Sequence, residues 1–398
     1  MIKPVSIRDV KVFCTRPSGF NLVVVKIETS EPGLFGLGCA TFTYRYKSVA
    51  LQIEEYLKPL IIGRNVADIE DIWQMLNVSS YWRNGPVTNN AISGIDMALW
   101  DIKGKMADMP LYELFGGKSR NAVPVYRYVE ENDLDSIDEK VYDYIHEGVK
   151  HIRVQWKNHQ VKPTTDKYFH DGYYIDPKKY CLDTVKLFAH VRETAGDEIE
   201  LCHDVHERIA PSDALWLAKN LEQFRLFFLE DILSPEQGMW FKHIRQQTSM
   251  PFAQGELFTN PLEWECLIKE RLIDFLRVHI TQIGGITPAR KLAAFCEQFG
   301  VRMAWHGPPD ISPIGHAANV HIDMVINNLG IQEWPELHEI FYEMFPGTPV
   351  VDGGYISVSD KPGLGIDFDE KLAAKFPCRN EKTPWIEMRL PDGTIQKP

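Results

Sequence analysis

Two patterns of apolar and polar positions meet near residue 118. On the N-terminal side, SIRDVKVFCT and FNLVVVKIET alternate like antiparallel strands. Apolar residues at helical spacing then run from about Lys47 to Trp82 and through VTNNAISGIDMALWDIKGKMA, whose Asn/Thr-rich start suits helix capping. LYELFGGK ends in two glycines, a typical helix stop. These patterns predict an α+β domain that ends at about this point.

Beyond residue 118, short apolar segments alternate with amphipathic ones, and several of the latter begin with helix-start signals such as Pro211-Ser212. Alternating strands and helices predict a parallel sheet, and eight such units predict a closed (β/α)8-type barrel. The predicted strands are VPVYRYV, HIRVQ, EIELCHDV, RLFFLED, PFAQGEL, DFLRVHI, RMAWHG and GIQEWPE.

Residue spacing supports the barrel and locates one insertion. Asp204 and Glu230 are 26 residues apart, as are Glu230 and Glu256, which is close to one strand–helix unit each. Arg153 and Asp204 lie much further apart. The segment WKNHQVKPTTDKYFHDGYYIDPKKY is therefore predicted to be an inserted loop that covers the mouth of the site.

Composition argues against several classes of partner. The chain has 398 residues and a formal net charge of −12 without a basic run, which disfavours nucleic-acid binding. No apolar run approaches the roughly 18 residues that a membrane span needs, and MIKPVSIRDV lacks an apolar signal core. The seven cysteines are scattered without a C-x-x-C pair, so reduced thiols and a cytoplasmic location are predicted.

Acidic residues at the ends of three consecutive predicted strands indicate the chemistry. Asp204, Glu230 and Glu256 are expected to converge at one face of the barrel, where three carboxylates repel each other unless a hard cation neutralises them. Such a set of oxygen ligands favours a Mg²⁺ site over the alternative, in which the three residues are separate surface acids that each pair with a nearby Lys or Arg. Further polar residues at the strand ends suit a carboxylate substrate that loses its α-proton, namely Arg153, His206, Arg277, His306, Asp310 and Glu333.

The stretch LCHDVHERI contains two histidines and two acids within five positions. Side chains two apart in a strand share a face, so Asp204 and His206 are expected to project together while His203 points away and Glu207 lies off the site. His206 is then predicted to act as a proton donor or acceptor beside the metal, because the pKa of histidine lies near neutrality.

With these motifs in order, the chain resembles the enolase superfamily and, within it, the mannonate dehydratase family, which includes D-galactonate dehydratase family members and starvation-sensing proteins. The resemblance covers nearly the whole length. The matching segments are YWRNGPVTNNAISGIDMALWDIKGK, LYELFGG, IRVQ, HDVHERI, LEDILSPE, GELF, LIDFLRVHITQIGGIT, HGPPDISP, GIQEWPE and DKPGLGIDFDEKLAAKFP.

The resemblance implies an α/β fold, a (β/α)7β TIM-like barrel with an α+β capping domain. It implies that residues 1–120 form the N-terminal part of the capping domain, that residues 121–358 form the barrel, and that the tail 359–398 returns to the capping domain. It also implies a homo-oligomer, either a tetramer or an octamer.

The resemblance also implies a role for each matching residue. Asp204, Glu230 and Glu256 look like the ligands of one Mg²⁺ per subunit. His206 corresponds to the catalytic histidine that protonates the departing hydroxide, and Arg153 to the arginine that works with a tyrosine as the base. The implied substrate-contacting positions are Thr43, Tyr128, Arg277, His306, Asp310 and Glu333.

The family chemistry removes the proton alpha to the carboxylate of a small sugar acid and expels the 3-hydroxyl, giving a 2-keto-3-deoxy acid. This chain departs from the pattern. KPTTDK stands where the family's tyrosine is expected, and the nearest tyrosines are Tyr168, Tyr173 and Tyr174. Thr43 replaces an asparagine, Tyr128 replaces a histidine, and GTIQKP replaces an aromatic ending.

These departures predict an acid-sugar dehydratase with little or no activity on D-mannonate. Three alternatives stay open. The first is a sensing or regulatory protein that keeps the metal site without dehydratase activity. The second is a racemase or cycloisomerase, which usually carries paired lysines where this chain reads IRVQWK. The third is a zinc hydrolase, which needs convergent histidine ligands.

Overall fold

The computed structural model describes residues 4–158, 160–163, 172–381 and 384–397, which form two compact units. Unit 1 comprises the described residues up to Pro124 together with Leu257–Leu262 and Val278–Arg379. Unit 2 comprises Val125–Glu256, Glu263–Arg277 and the described residues from Asn380 onward. The domain limits expected at residues 120 and 358 divide the chain differently and stay predictions.

The regular elements of the described residues follow the predicted order. The strands are β1 Ile7–Thr15, β2 Leu22–Thr29, β3 Phe35–Cys39, β4 Val123–Glu131, β5 His151–Trp156, β6 Tyr173–Tyr174, β7 Glu200–Asp204, β8 Phe228–Glu230, β9 Phe252–Gln254, β10 Phe275–Leu276, β11 Arg302–Met303, β12 Gln332–Glu333, β13 Val351–Asp352, β14 Tyr355–Ile356 and β15 Met388–Arg389. The α-helices are α1 Tyr46–Leu51, α2 Lys58–Ile61, α3 Ile69–Val78, α4 Pro86–Ala107, α5 Leu111–Leu114, α6 Leu134–His146, α7 Pro177–Ala195, α8 Pro211–Leu221, α9 Phe241–Arg245, α10 Pro261–Lys269, α11 Ile286–Gln298, α12 Pro313–Asp323, α13 Glu339–Met344 and α14 Glu370–Ala373.

Unit 1 contains the antiparallel sheet β1–β2–β3, against which helix α4 packs. The helix and the sheet can approach closely because glycines lie where they meet. A Cβ on Gly38 in β3 would lie 1.9 Å from the carbonyl oxygen of Gly94 in α4. The C-terminal part of this unit contacts strand β1 of this sheet. The Thr15 hydroxyl lies 3.0 and 3.1 Å from the carbonyl oxygens of Ala373 and Phe376, either of which can accept its proton.

The start of helix α4 differs from the prediction of side-chain capping. The helix begins at Pro86 after Gly85, and no side chain caps it. The side-chain amide nitrogen of Asn89 instead donates to the backbone carbonyl oxygens of Thr259 and Gln282, at 2.8 and 2.7 Å. The polar start of α4 therefore ties the helix to distant loops of unit 1 rather than terminating the helix itself.

Unit 2 is built on a parallel sheet whose strands occur in the order β4–β5–β7–β8–β9–β10. The central strands are almost wholly buried, as expected for a parallel sheet that is covered on both faces. All eight strands predicted beyond residue 118 are present as β4, β5 and β7–β12. Within the part of the chain that the structure describes, no helix combines the length and apolarity that crossing a membrane requires.

Asp96 in α4 links this helix to the N-terminus of α11 within unit 1. Its carboxylate accepts hydrogen bonds from the backbone N–H of Thr287, at 2.9 Å, and from the Thr287 hydroxyl. The hydrogen-bond partner of Asp96 thus lies 191 residues further along the chain. Burial raises the pKa of Asp96 to about 7, although the hydrogen bonds from Thr287 lower it.

We expect this aspartate to make stability depend on pH. The unfolded carboxyl titrates near a pKa of about 3.9, so between about pH 4 and 7 the folded state holds a proton that the unfolded state releases. Stability therefore falls as pH rises through that window, by at most about 1.4 kcal/mol per unit. In urea unfolding from pH 5 to 8, the difference between wild type and Asp96→Asn should decrease up to about pH 7 and then level off. The exposed Asp135→Asn should give a flat difference, and a flat difference for Asp96→Asn would contradict this account.

Candidate active site

Asp204 and His206 meet at the end of strand β7. The side-chain Nε2 of His206 lies 2.9 Å from Oδ2 of Asp204, and its backbone N–H donates to Oδ1 of the same carboxylate at 2.9 Å. The strand ends at Asp204, and the backbone then turns through left-handed conformations at His206 (φ 50°) and Glu207 (φ 58°). Asp204 and His206 lie close together, as predicted. The reason given for it, that side chains two apart in a strand share a face, is wrong, because His206 lies beyond the end of the strand.

Glu256 completes a group of three possible metal ligands. One ligand atom from each of Asp204, His206 and Glu256 lies within 4.8 Å of the others. Across residues 4–158, 160–163, 172–381 and 384–397, this is the one such group of three or more His, Cys, Asp or Glu residues. Glu256 follows β9 through Gly255, whose positive φ of 138° suits glycine and whose N–H donates to Oδ1 of Asp231 at 3.0 Å.

Glu230, the third predicted ligand, lies beside this group in the sheet. It is the last residue of β8 and is the partner of Asp204 across the parallel pair β7–β8. Its fully buried carboxylate accepts a hydrogen bond from Nε of Arg277 and forms an ion pair with it. The structure thus brings two predicted ligands together with His206, while the third is held by an arginine.

The charge balance around this group fits a cation. Burial would raise the pKa of Asp204, but the charge of His206, followed by that of Arg153, holds it well below its usual range. Burial, followed by the carboxylate of Glu256, raises the pKa of Asp231 well above its usual range. Burial mainly raises the pKa of Glu207 to about 8 as well. The carboxylates of Glu256, Glu230 and Asp204 add to the effect of burial on the pKa of Asp231, and a divalent cation would offset this negative charge.

Arg153, the third of the six residues of β5, contacts the same carboxylate as His206. Its guanidinium donates to Oδ2 of Asp204 at 3.1 Å and to Glu130 at 2.8 Å. The guanidinium carbon also lies 4.3 Å from the ring centroid of Tyr128, which occupies the facing position on β4. Arg153 is thereby held by two carboxylates and one aromatic face.

A second cluster of predicted residues lies within unit 1. The Nε2 atom of His306 is 4.0 Å from Oε2 of Glu333, which accepts the backbone N–H of Gly307 at 2.7 Å. His279, which the sequence analysis did not select, places its Nδ1 atom 2.8 Å from Nδ1 of His306. The signal was available in LRVHI, where His279 stands two positions after Arg277.

The remaining predicted positions have individual surroundings. Thr43 is buried in unit 1, and its hydroxyl accepts the backbone N–H of Asn21 at 3.0 Å. Asp310 is partly buried in the turn after His306. In the loop after β5, the Tyr173 hydroxyl donates to Asn158 at 3.3 Å and Tyr174 is buried. Tyr168, His159 and His170 lie outside the described residues.

The C-terminal segment reaches loops that follow the predicted ligands, a feature that sequence reasoning missed. Gln396 donates to the carbonyl oxygen of Arg208 at 2.8 Å, four residues beyond Asp204. Lys397 contacts Ser234 and Glu236 at 2.5 and 2.8 Å, shortly after Glu230. All of these residues belong to unit 2.

Comparison with known proteins identifies related chains over the full length. Residues 3–116 match the mandelate racemase/muconate lactonizing enzyme N-terminal domain, and residues 137–372 match the enolase C-terminal domain-like family. A D-galactonate dehydratase family member from Enterocloster bolteae is 52% identical over 99% of both chains. Another from Enterococcus gallinarum is 51% identical over 100% of both.

A solved structure is also closely similar. It is described as an enolase from Pantoea ananatis with bound D-gluconate and Mg, and it is 49% identical with a TM-score of 0.97. The match covers 99% of this chain and 100% of that chain. The predicted fold class, a barrel with an α+β capping domain, is confirmed by these matches.

Proposed function

We infer the function of this chain from its family: it belongs to the enolase superfamily and, within it, to the D-galactonate dehydratase family. We propose that it is a magnesium-dependent dehydratase of acid sugars. The observation that carries the proposal is the group formed by Asp204, His206 and Glu256, in which two carboxylates and one histidine converge. The relative that binds D-gluconate and Mg, at 49% identity, supports this choice of metal and substrate class.

Asp204 and Glu256, with Glu230 as the third ligand, would hold one Mg²⁺ per subunit, because carboxylate oxygens are its preferred protein ligands. When bound, the cation would stabilise negative charge that develops on the substrate carboxylate and so acidify the neighbouring C–H bond.

His206 would serve as the general acid of the reaction. A base on the Arg153 side of the site takes the C2 proton, and the electron pair of the broken C–H bond forms the C2–C3 double bond as the C3–O bond breaks. His206 gives its proton to the departing hydroxyl, which leaves as water, and the enol product becomes the 2-keto-3-deoxy acid. The contact between Nε2 of His206 and Oδ2 of Asp204, at 2.9 Å, supports this role, because it fixes the ring beside the metal ligands.

Arg153 would lie on the side of the substrate from which a base removes the C2 proton. Its bonds to Asp204 and Glu130, together with the ring of Tyr128, fix the position of its guanidinium. The segment that follows, KPTTDK, lacks the tyrosine with which the matching arginine works in the resembled family. We therefore propose little or no activity on D-mannonate and turnover of a different acid sugar. The substrate contacts assigned by resemblance to Thr43, Tyr128, Arg277, His306, Asp310 and Glu333 stay predictions.

A panel of sugar acids tests the proposed function. Purified protein with Mg²⁺ should convert at least one of D-gluconate, D-galactonate and related C5 and C6 acids into a product that is lighter by one water and reacts as a 2-keto acid. Chelation should stop turnover, and added Mg²⁺ should restore it. A folded, Mg²⁺-binding protein that converts none of the panel would favour the sensing or regulatory alternative. Dehydration that is restored by Zn²⁺ but not by Mg²⁺ would contradict the choice of metal.

A further inference from the structure

Two histidines in unit 1 form a direct hydrogen bond through equivalent ring atoms. The Nδ1 atoms of His279 and His306 lie 2.8 Å apart, and the two residues are paired as neighbours in parallel extended segments. His279 is only 3% exposed, whereas the side chain of His306 is 17% exposed. The buried ring of His279 therefore holds the more accessible ring of His306 through this hydrogen bond.

Only one proton can lie between the two Nδ1 atoms, so one ring must donate and the other must accept. Glu333 decides which, because its Oε2 atom lies 4.0 Å from Nε2 of His306. A carboxylate at this distance favours a proton on Nε2. In the neutral ring of His306, Nδ1 is then the acceptor, and His279 is the donor through its own Nδ1–H.

The separation between His306 and Glu333 is too long for a direct hydrogen bond. Oε2 of Glu333 is also held in place by the backbone N–H of Gly307 at 2.7 Å. The pair consequently presents an N–H donor next to a carboxylate acceptor. A hydroxyl group matches this arrangement, since one oxygen can accept from His306 and donate to Glu333.

We propose that His279 is a positioning residue that holds His306 in its Nε2–H tautomer, so that His306 and Glu333 together bind one hydroxyl group of the acid sugar. The ligand part of this proposal rests on the proposed function, whereas the tautomer part does not. His279 need not touch the ligand itself, and it acts by fixing which ring nitrogen of His306 carries the proton.

The tautomer is tested by nitrogen NMR of histidine-labelled protein, with His306 assigned by substitution. Wild type should show a protonated Nε2 and an unprotonated Nδ1 for His306. His279→Asn should preserve this pattern, because its amide N–H can replace the Nδ1–H donor. His279→Leu, which removes the donor, should shift His306 to a mixture of tautomers. A protonated Nδ1 in wild type, or an unchanged pattern in a folded His279→Leu variant, would overturn the proposal.

The ligand part is tested by calorimetric titration with D-gluconate and Mg²⁺. The affinity of His279→Leu should fall roughly tenfold, in line with loss of one well-placed hydrogen bond, while His279→Asn should stay within about threefold of wild type. Equal affinity in all three proteins would refute the positioning role. If wild type binds no sugar acid, the proposed substrate class fails, and the NMR result still decides the tautomer. Thermal melts of both variants exclude misfolding as the cause.

Discussion

Replacing Glu256 with glutamine is expected to weaken Mg²⁺ binding by about 100-fold or more and to abolish dehydration. Glu256 supplies one of the two carboxylates that converge with His206, and glutamine keeps its size while removing its charge. A change in the surroundings of a metal ligand alone typically costs about 10- to 100-fold in affinity or activity, so loss of a ligand's own charge should reach or exceed the upper end of that range. Calorimetric titration with Mg²⁺ measures the effect directly.

Glu207→Gln is the matched control for this variant. It makes the same chemical change at a buried acid close to the site, but Glu207 is not a member of the converging group. Because Glu207 offers no ligand atom to the converging group, glutamine there should alter Mg²⁺ affinity by less than about threefold. Equal losses in the two variants would show that the acids act through their summed charge and would contradict the assignment of Glu256 as a ligand.

Replacing His206 with asparagine should lower turnover by about 10²- to 10⁴-fold while leaving Mg²⁺ affinity within about threefold of wild type. The reason is that we assign His206 to proton transfer, although its ring lies close enough to Asp204 and Glu256 to serve as a ligand. Asparagine removes the titrating ring, and Asp204 and Glu256 keep their carboxylates. The two measurements are kcat on the acid identified in the panel and the Mg²⁺ titration.

The outcomes for His206 separate its two possible roles. If Mg²⁺ affinity and turnover fall together, His206 is a ligand and Glu230 stays with Arg277 as the structure has it. If His206→Asn retains wild-type turnover, the histidine is not the acid. His206→Gln serves as a second variant, since its longer amide places nitrogen nearer the Nε2 position but cannot transfer a proton.

Periodicity in the sequence predicted the elements that carry the site. The eight strands beyond residue 118 follow from apolar runs separated by helix signals, and six of them form the parallel sheet of unit 2. The near-constant spacing of Asp204, Glu230 and Glu256 placed these acids at strand ends, and Asp204 and Glu230 are indeed partners across β7 and β8. These predictions succeed because strand length and alternation are local properties of the chain.

Other features depend on contacts that no local pattern encodes. Asp204 and His206 come together through left-handed backbone at His206 and Glu207, which strand alternation does not anticipate. The ion pair of Glu230 with Arg277 joins residues 47 positions apart. The pairing of His279 with His306 likewise appears only when neighbouring strands are aligned. In each case a conformation or partner is selected by tertiary packing rather than by sequence neighbours.

The proposed function requires that this chain remove the α-proton of an acid sugar in a magnesium-dependent reaction. Proton NMR in D₂O, with the Mg²⁺-loaded protein and each acid of the panel, follows the C2 proton directly. The C2 signal of at least one acid should disappear as the 2-keto-3-deoxy product forms, and chelation of Mg²⁺ should prevent both changes. If a folded, Mg²⁺-bound protein leaves the C2 proton of every acid in place, the proposed function is wrong.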